Sequence, residues 1–313
     1  RQKETIKGIK VYRLPVWFKV SNTPINPLWY FEIKKIVARE NPTIINGHAP
    51  VPFIADLAAL ASGNVPYVLT YHAGTMKKKK LFFDAIISIY EKILLKTTAD
   101  RATKIVCSSD FVANTIMKPY VNKSTIINPS VDTSFFKPIK NLKKKKNRVL
   151  FVGRSKNMYQ MKGLPVLAAA VSKIPNAKLR VIGERDRRSG ANIEFAGIKT
   201  GKDLVRELSE ASVLALPSLQ EVESFGTVLI EAMACKTPVV GSNTGAIPKI
   251  IENGVDGMIV PPNNINKLSN ALKKIIEDGR FRARMASYAR KKAEKYDVKY
   301  QVNLTSDVLS SIL

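Results

Sequence analysis

Pro217-Ser218-Leu219-Gln220-Glu221-Val222-Glu223-Ser224-Phe225-Gly226-Thr227-Val228-Leu229-Ile230-Glu231-Ala232-Met233-Ala234 holds the end of an apolar run, a polar loop and the start of a helix. Val213 to Pro217 reads as a strand. The loop after it carries Glu223, and the helix opens near Gly226 with Glu231 about one turn in. A helix start offers unpaired backbone N–H groups and the positive end of a dipole, which suit a phosphate. Gly226 lets a ligand approach the backbone, and Ser224, Phe225 and Thr227 flank that approach. A carboxylate has two acceptor oxygens and can take both hydroxyls of a ribose. The passage therefore predicts a strand–loop–helix unit of an α/β fold with a phosphate- and ribose-binding turn.

Outward from it, short β-branched runs alternate with helical runs, the pattern of a parallel sheet covered on both faces. Upstream, Ile9 to Leu14, Thr43 to Asn46, Tyr67 to Tyr71 and Lys104 to Ser108 read as strands. Leu28 to Glu40, Pro52 to Ser62 and Leu81 to Asp100 read as helices, and Ser109 caps another. A Pro-bearing stretch from Ile126 runs into the lysines Lys143 to Lys146 and reads as a linker. Arg148 to Gly153 opens a second series, continued by the strand-like Leu179 to Gly183, Val213 to Pro217, Pro238 to Gly241 and Gly257 to Val260. The spacing predicts two doubly wound domains, residues 1–140 and 141–297, and a last amphipathic helix over 298–313. Ligands of such sheets bind outside the carboxyl ends of the strands, where the candidate residues fall.

Phe151-Val152-Gly153-Arg154, followed by Lys162-Gly163, is the second element. Arg154 sits at a strand tip and Lys162 on a loop before a helix. Two such cations suit a diphosphate, Arg as a fork and Lys as a point charge. The chain contains no Asp-x-Asp triplet, so side-chain cations rather than a metal are expected to meet the phosphate charge. Two histidines, His48 and His72, each follow or end a strand of the first series.

The 313 residues carry 51 Lys+Arg against 25 Asp+Glu, a net charge of +26, which fits an anionic partner. The basic runs have few interleaved aromatics, so no nucleic acid is expected. Cys107 and Cys235 read as buried thiols of a reducing compartment. With no signal-peptide pattern and no apolar run of about 18 residues, a cytoplasmic protein is expected.

The motifs resemble those of the retaining glycosyltransferases of family 4, which have the GT-B fold. Their hallmark E-[SG]-F-G-x(4)-E-A-M-A matches Glu223-Ser224-Phe225-Gly226 and Glu231-Ala232-Met233-Ala234. The resemblance implies two facing Rossmann-like domains with a cleft between them. It implies an acceptor-side N-terminal domain and a nucleotide-sugar-binding C-terminal domain, with the last helix packing back on the first. By the same resemblance Glu223 contacts the donor sugar's hydroxyls and Glu231 holds the ribose. Arg154 and Lys162 hold the diphosphate, and His72 reaches the donor sugar. Gly183-Glu184 occupies the family's nucleotide-facing loop without its second glycine, and Gly153 belongs with Arg154. His48 is placed on the acceptor side. Asn128-Pro129-Ser130-Val131-Asp132 and Gly245-Ala246-Ile247-Pro248-Lys249 match further family segments, with Pro-Ser for Gly and Lys249 for Glu. The family's opening strand, Gly-rich loop and helix do not precede Gly8, and the chain begins at Arg1, so an incomplete N-terminal domain is expected.

The implied reaction is retaining transfer of a hexosyl group from a nucleotide-diphosphate sugar to a hydroxyl acceptor, with no cofactor. Lys77 to Lys80 precede a helix in which Phe82, Ile86, Ile89 and Ile93 recur at helical spacing. Either this stripe faces the core, or it docks on an anionic membrane and the acceptor is lipid-linked. The rival readings are a truncated nucleotide-sugar-binding module without turnover and a GT-B nucleotide-sugar epimerase.

Overall fold

The computed structural model describes all residues except 1, 21–22, 75, 78–80, 185–191 and 220–222, together with the side chains of residues 2 and 157. Most of the lysine run at 77–80 and part of the loop before Glu223 thus lie outside the described residues. The chain divides into two compact units, residues 1–127 with 305–313, and residues 128–304.

The second unit carries a six-stranded, all-parallel sheet. Across the sheet the strands run Ile193–Phe195, Lys178–Ile182, Arg148–Val152, Val213–Leu216, Val239–Ser242 and Gly257–Val260. In chain order this is 3-2-1-4-5-6, the doubly wound dinucleotide-binding order. The strands alternate their side chains between two buried faces. Val149, Phe151, Val213 and Ala215 pack under helices Leu164–Val171 and Ile265–Glu277. Leu150, Leu214 and Leu216 pack under Gly201–Glu210 and Thr227–Ala234. Because both faces are covered, these strands read as continuous apolar runs rather than as alternation. The edge strand Ile193–Phe195 was not legible as one: it has three residues and its middle one is Glu194.

The first unit has a four-stranded parallel sheet in the order Ile45–Ala49, Tyr67–Tyr71, Lys104–Cys107, Ser124–Ile126. Val68 and Val106 face Ile127, Val308, Leu309 and Ile312. The end of the last helix, Val298–Ser310, thereby belongs to this unit's core. Ile9–Arg13 lies outside the parallel sheet, against expectation. It pairs antiparallel with Gln2–Ile6 through Lys7 and Gly8, both at positive φ, as a tight hairpin turn demands. Leu81 to Arg101 is helical but not one α-helix, since a π-helical segment at Glu91–Leu95 interrupts it. The apolar stripe there does not face the core: Phe82, Ile86, Ile89 and Ile93 are all exposed.

The lysine run at 143–146 is bound into the second unit rather than being a free linker. The Lys144 ammonium donates to the carbonyls of Ser209 (3.1 Å) and Ala211 (2.9 Å) and to Thr237 Oγ1 (2.8 Å). It thus satisfies the carbonyl end of helix Gly201–Glu210. Lys145 pairs with Glu210 at 2.8 Å. The boundary between units accordingly falls after Ile127 and not near residue 140.

Candidate functional site

In a sheet ordered 3-2-1-4-5-6 the winding reverses between Arg148–Val152 and Val213–Leu216. The chain leaves these two neighbours toward opposite sides, which opens a crevice at their carboxyl ends. Gly153, Arg154 and Lys162 follow the first strand, and Ser218 and Glu223 follow the second.

The structure brings Lys162 and Glu223 together across this crevice. Lys162 Nζ lies 2.9 Å from Glu223 Oε1, with both side chains largely shielded from water. The fully buried Ser218 also donates to Glu223 Oε1, at 3.1 Å, and its own carbonyl accepts from Ser242. The pairing is built by the backbone. Leu219 N–H donates to the Met161 carbonyl at 2.8 Å, which ties the loop of Lys162 to the loop of Glu223. Gly163 adopts φ +74° and packs so closely that a Cβ there would lie 2.0 Å from the Pro217 carbonyl oxygen. Gly245, at φ +55°, packs on the Glu223 carbonyl oxygen, where a Cβ would come within 2.5 Å, and Ala246 N–H donates to that oxygen at 3.1 Å. Ser218, Gly163 and Gly245 are thus supports of the site that the sequence displayed without revealing their task. The glycine of Lys162-Gly163 was the available signal.

Gly226 is in the left-handed region at φ +97° and opens helix Thr227–Ala234. Ser224 is half-buried and Thr227 exposed beside it. Phe225 is buried and its ring meets Tyr296 edge-on at 5.4 Å, so its side chain serves the core and only its backbone is available to a ligand. Glu231 is half-buried, and its carboxylate has no hydrogen bond or ion pair among the described residues. Burial without a partner pushes its carboxyl up to about 7.

Gly153 and Gly183 pack against each other at adjacent strand ends, where a Cβ on Gly183 would lie 1.7 Å from the Gly153 carbonyl oxygen. Glu184 is exposed; its carboxylate accepts the Lys156 N–H at 3.0 Å, at the start of the short helix Lys156–Tyr159, and its carbonyl accepts from Tyr159 Oη at 2.7 Å. A carboxylate oxygen held this way orders the loop. Arg154 is exposed and makes no hydrogen bond or ion pair among the described residues.

In the first unit His48 and His72, read separately from the sequence, meet. Their strands are parallel neighbours, and His48 Nδ1 lies 2.7 Å from His72 Nε2. Partial burial lowers the pKa of both imidazoles, and the charge of His48 lowers that of His72 further.

Two α/β units, each on a parallel sheet, make a GT-B fold, the architecture of nucleotide-dependent glycosyltransferases. Solved structures share it. Anabaena Alr3699/HepE in complex with UDP superposes with a TM-score of 0.75 over 90% of this chain and 82% of that one, at 17% identity. A glycosyltransferase from Rickettsia africae gives a TM-score of 0.73 over 94% and 83%, at 20% identity. The chain belongs to the glycosyl transferases group 1 family, whose model matches residues 132–292, while the Glycosyltransferase Family 4 model matches residues 1–135. Among curated relatives, a phosphatidyl-myo-inositol mannosyltransferase of Mycolicibacterium smegmatis is 27% identical over 93% of this chain and 77% of its own length. Sulfoquinovosyl transferase SQD2 of Arabidopsis thaliana is 26% identical over 93% and 60%.

Proposed function

We propose that this chain is a retaining hexosyltransferase that takes its sugar from a nucleotide-diphosphate donor and hands it to a hydroxyl of a membrane-borne acceptor. The observation that carries the donor reading is the ion pair of Lys162 with Glu223 at the switch point, next to a helix bearing the carboxylate of Glu231, which has no partner among the described residues. The ammonium of Lys162 has three donors and spends one on Glu223, which leaves two for a diphosphate. Arg154 supplies a second cation, and the amides after Gly226 supply neutral donors. Glu231 takes the two ribose hydroxyls, and its ionised form is favoured once they donate to it. Glu223 meets the sugar hydroxyls, and His72 is assigned to the same sugar by the family resemblance.

In this reading the bond from the anomeric carbon to the phosphate oxygen breaks as charge grows on the diphosphate, which Arg154 and Lys162 stabilise. The acceptor hydroxyl forms the new bond on the same face and passes its proton to the departing phosphate. Side-chain cations do what a metal does elsewhere, so turnover is expected to survive chelation. Anomeric NMR of the product tests the stereochemistry; an inverted anomer would sink the retaining assignment.

The membrane part rests on the exposed helix. Leu81 and Phe82 are 95% and 73% exposed, and Phe82, Ile86, Ile89 and Ile93 follow one another at spacings of four, three and four. Lys77 precedes the stripe, 3.9 Å from Glu91, and Lys92 stands next to Ile93, in a chain of charge +26. No helix among the described residues is long and apolar enough to cross a bilayer, which fits a helix lying on one. The relatives named above are called a phosphatidyl-myo-inositol mannosyltransferase and a sulfoquinovosyl transferase; the first name carries a lipid acceptor. Sedimentation with phosphatidylglycerol and phosphatidylcholine vesicles tests it. Binding to the anionic vesicles alone, lost in Phe82→Asp, is expected; equal binding to both would refute it.

A further inference from the structure

We infer that His48 is a positioning residue for His72: one hydrogen bond between the two imidazoles occupies His72 Nε2 and leaves His72 Nδ1 as the ring nitrogen free to serve a substrate. The geometry is specific. Nδ1 of His48 is 2.7 Å from Nε2 of His72, and the rings are parallel to within 6°, with centroids 5.0 Å apart. Both backbones are held by the sheet. His48 stands opposite Thr70 in the parallel ladder between Ile45–Ala49 and Tyr67–Tyr71, and His72 N–H donates to the Ala49 carbonyl at 2.9 Å. Thr70 Oγ1 donates to Asn46 Oδ1 at 2.8 Å across the same strands. Gly47, just before His48, lies under Tyr67. A Cβ there would come within 1.8 Å of the Tyr67 hydroxyl, which is itself anchored on the Ala55 carbonyl at 2.8 Å. The strand carrying His48 is therefore pressed into one position against the strand that ends at His72.

A contact of this length between two imidazole nitrogens needs one N–H and one bare nitrogen. Two imidazolium ions cannot make it. The pair accepts one proton while keeping its bond and a second only by breaking it. If His72 Nε2–H donates, both rings are in the Nε2–H form, and His72 Nδ1 keeps a lone pair for a hydroxyl proton. Among the described residues, the other ring is the one charged group that perturbs His72, and burial alone acts on His48. The pair stands on geometry in the first unit; its bearing on transfer rests on the reading of His72 given above.

Nitrogen-15 NMR of the full chain tests it, with His48→Asn and His48→Leu. An Asn side chain places a polar atom near the position of Nδ1, whereas Leu places none. In wild type the expected signs are a coupling between the two ring nitrogens, an Nε2–H tautomer of His72, and protonation of the pair in two separate steps. His48→Leu is expected to merge these into one ordinary titration of His72 and to lower kcat roughly tenfold with little change in donor KM. His48→Asn should recover most of that loss. Identical tautomer and titration of His72 in wild type and His48→Leu would overturn the pair itself. A wild-type NMR signature with kcat equal in all three proteins would overturn the positioning role and leave the donor site untouched. Failure of the donor reading shows elsewhere, as unchanged nucleotide-sugar affinity in Glu231→Ala.

Discussion

Gly163→Ala puts the physical account of the site under the most direct strain. At φ +74° an L-residue pays a left-handed penalty of about 1–2 kcal/mol. The new Cβ would also start 2.0 Å from the Pro217 carbonyl oxygen, more than 1 Å inside ordinary contact by a rough estimate. Backbone faces backbone here, so the two loops must part. The Leu219 to Met161 hydrogen bond then goes, worth about 1 kcal/mol net. The total is roughly 3 kcal/mol, and for a unit of this size each kcal/mol lowers Tm by about 2–4 °C. A fall of about 6–12 °C in the melting of the second unit is therefore expected by scanning calorimetry. Gly254→Ala is the control: Gly254 has φ +83° in the same unit, but nothing lies within 4 Å of its added Cβ. It should show the left-handed penalty alone, about 1–2 kcal/mol. Because Lys162 precedes Gly163, the same variant should also weaken donor binding. Equal melting of the two alanine variants would refute the claim that loop contact at Gly163 sets the ion pair.

Glu231 offers a pH test. An acid whose folded pKa of about 7 lies above its ordinary 4.5 holds more protons when folded, so its contribution to stability falls as pH rises from 4.5 to 7. Glu231→Gln cannot ionise and is expected to be the more stable protein at pH 8, by at most about 3 kcal/mol in urea melts, with no advantage near pH 4. The two cations should separate by stability. Lys162→Ala strands the shielded Glu223 carboxylate and should lower both Tm and kcat, whereas Arg154→Ala, which strands no carboxylate among the described residues, should lower kcat by about a hundredfold with a smaller change in Tm. Finally, Lys144→Met removes three hydrogen bonds at the end of helix Gly201–Glu210 and should destabilise the second unit by about 2 kcal/mol in calorimetry.

The C-terminal unit was legible because its strands are continuous apolar runs and its glycines sit where the backbone turns. Strand ends and helix starts there carry Gly153, Lys162-Gly163 and Gly226. The N-terminal hairpin was legible in part. Ile9–Arg13 reads as a strand and is one, but nothing in the pattern marked its antiparallel partner Gln2–Ile6. The π-helical segment at Glu91–Leu95 leaves no trace in a pattern whose period it barely alters. Contacts across the sheet were beyond reach for another reason. That Lys162 meets Glu223, or His48 meets His72, depends on strand order and register, and residues 61 and 24 positions apart carry no mutual signal. Glu184 and Phe225 show the converse: both lie in motif segments, yet the structure gives one a capping bond and the other a place in the core.

Calorimetric titration with UDP-, GDP- and ADP-sugars, in wild type and Glu231→Ala, reaches the central claim most directly. One donor should bind wild type, and the variant should lose at least about tenfold in affinity, since each hydrogen bond to a charged carboxylate contributes about 1.5–3 kcal/mol. Equal affinity in the two proteins would contradict the account.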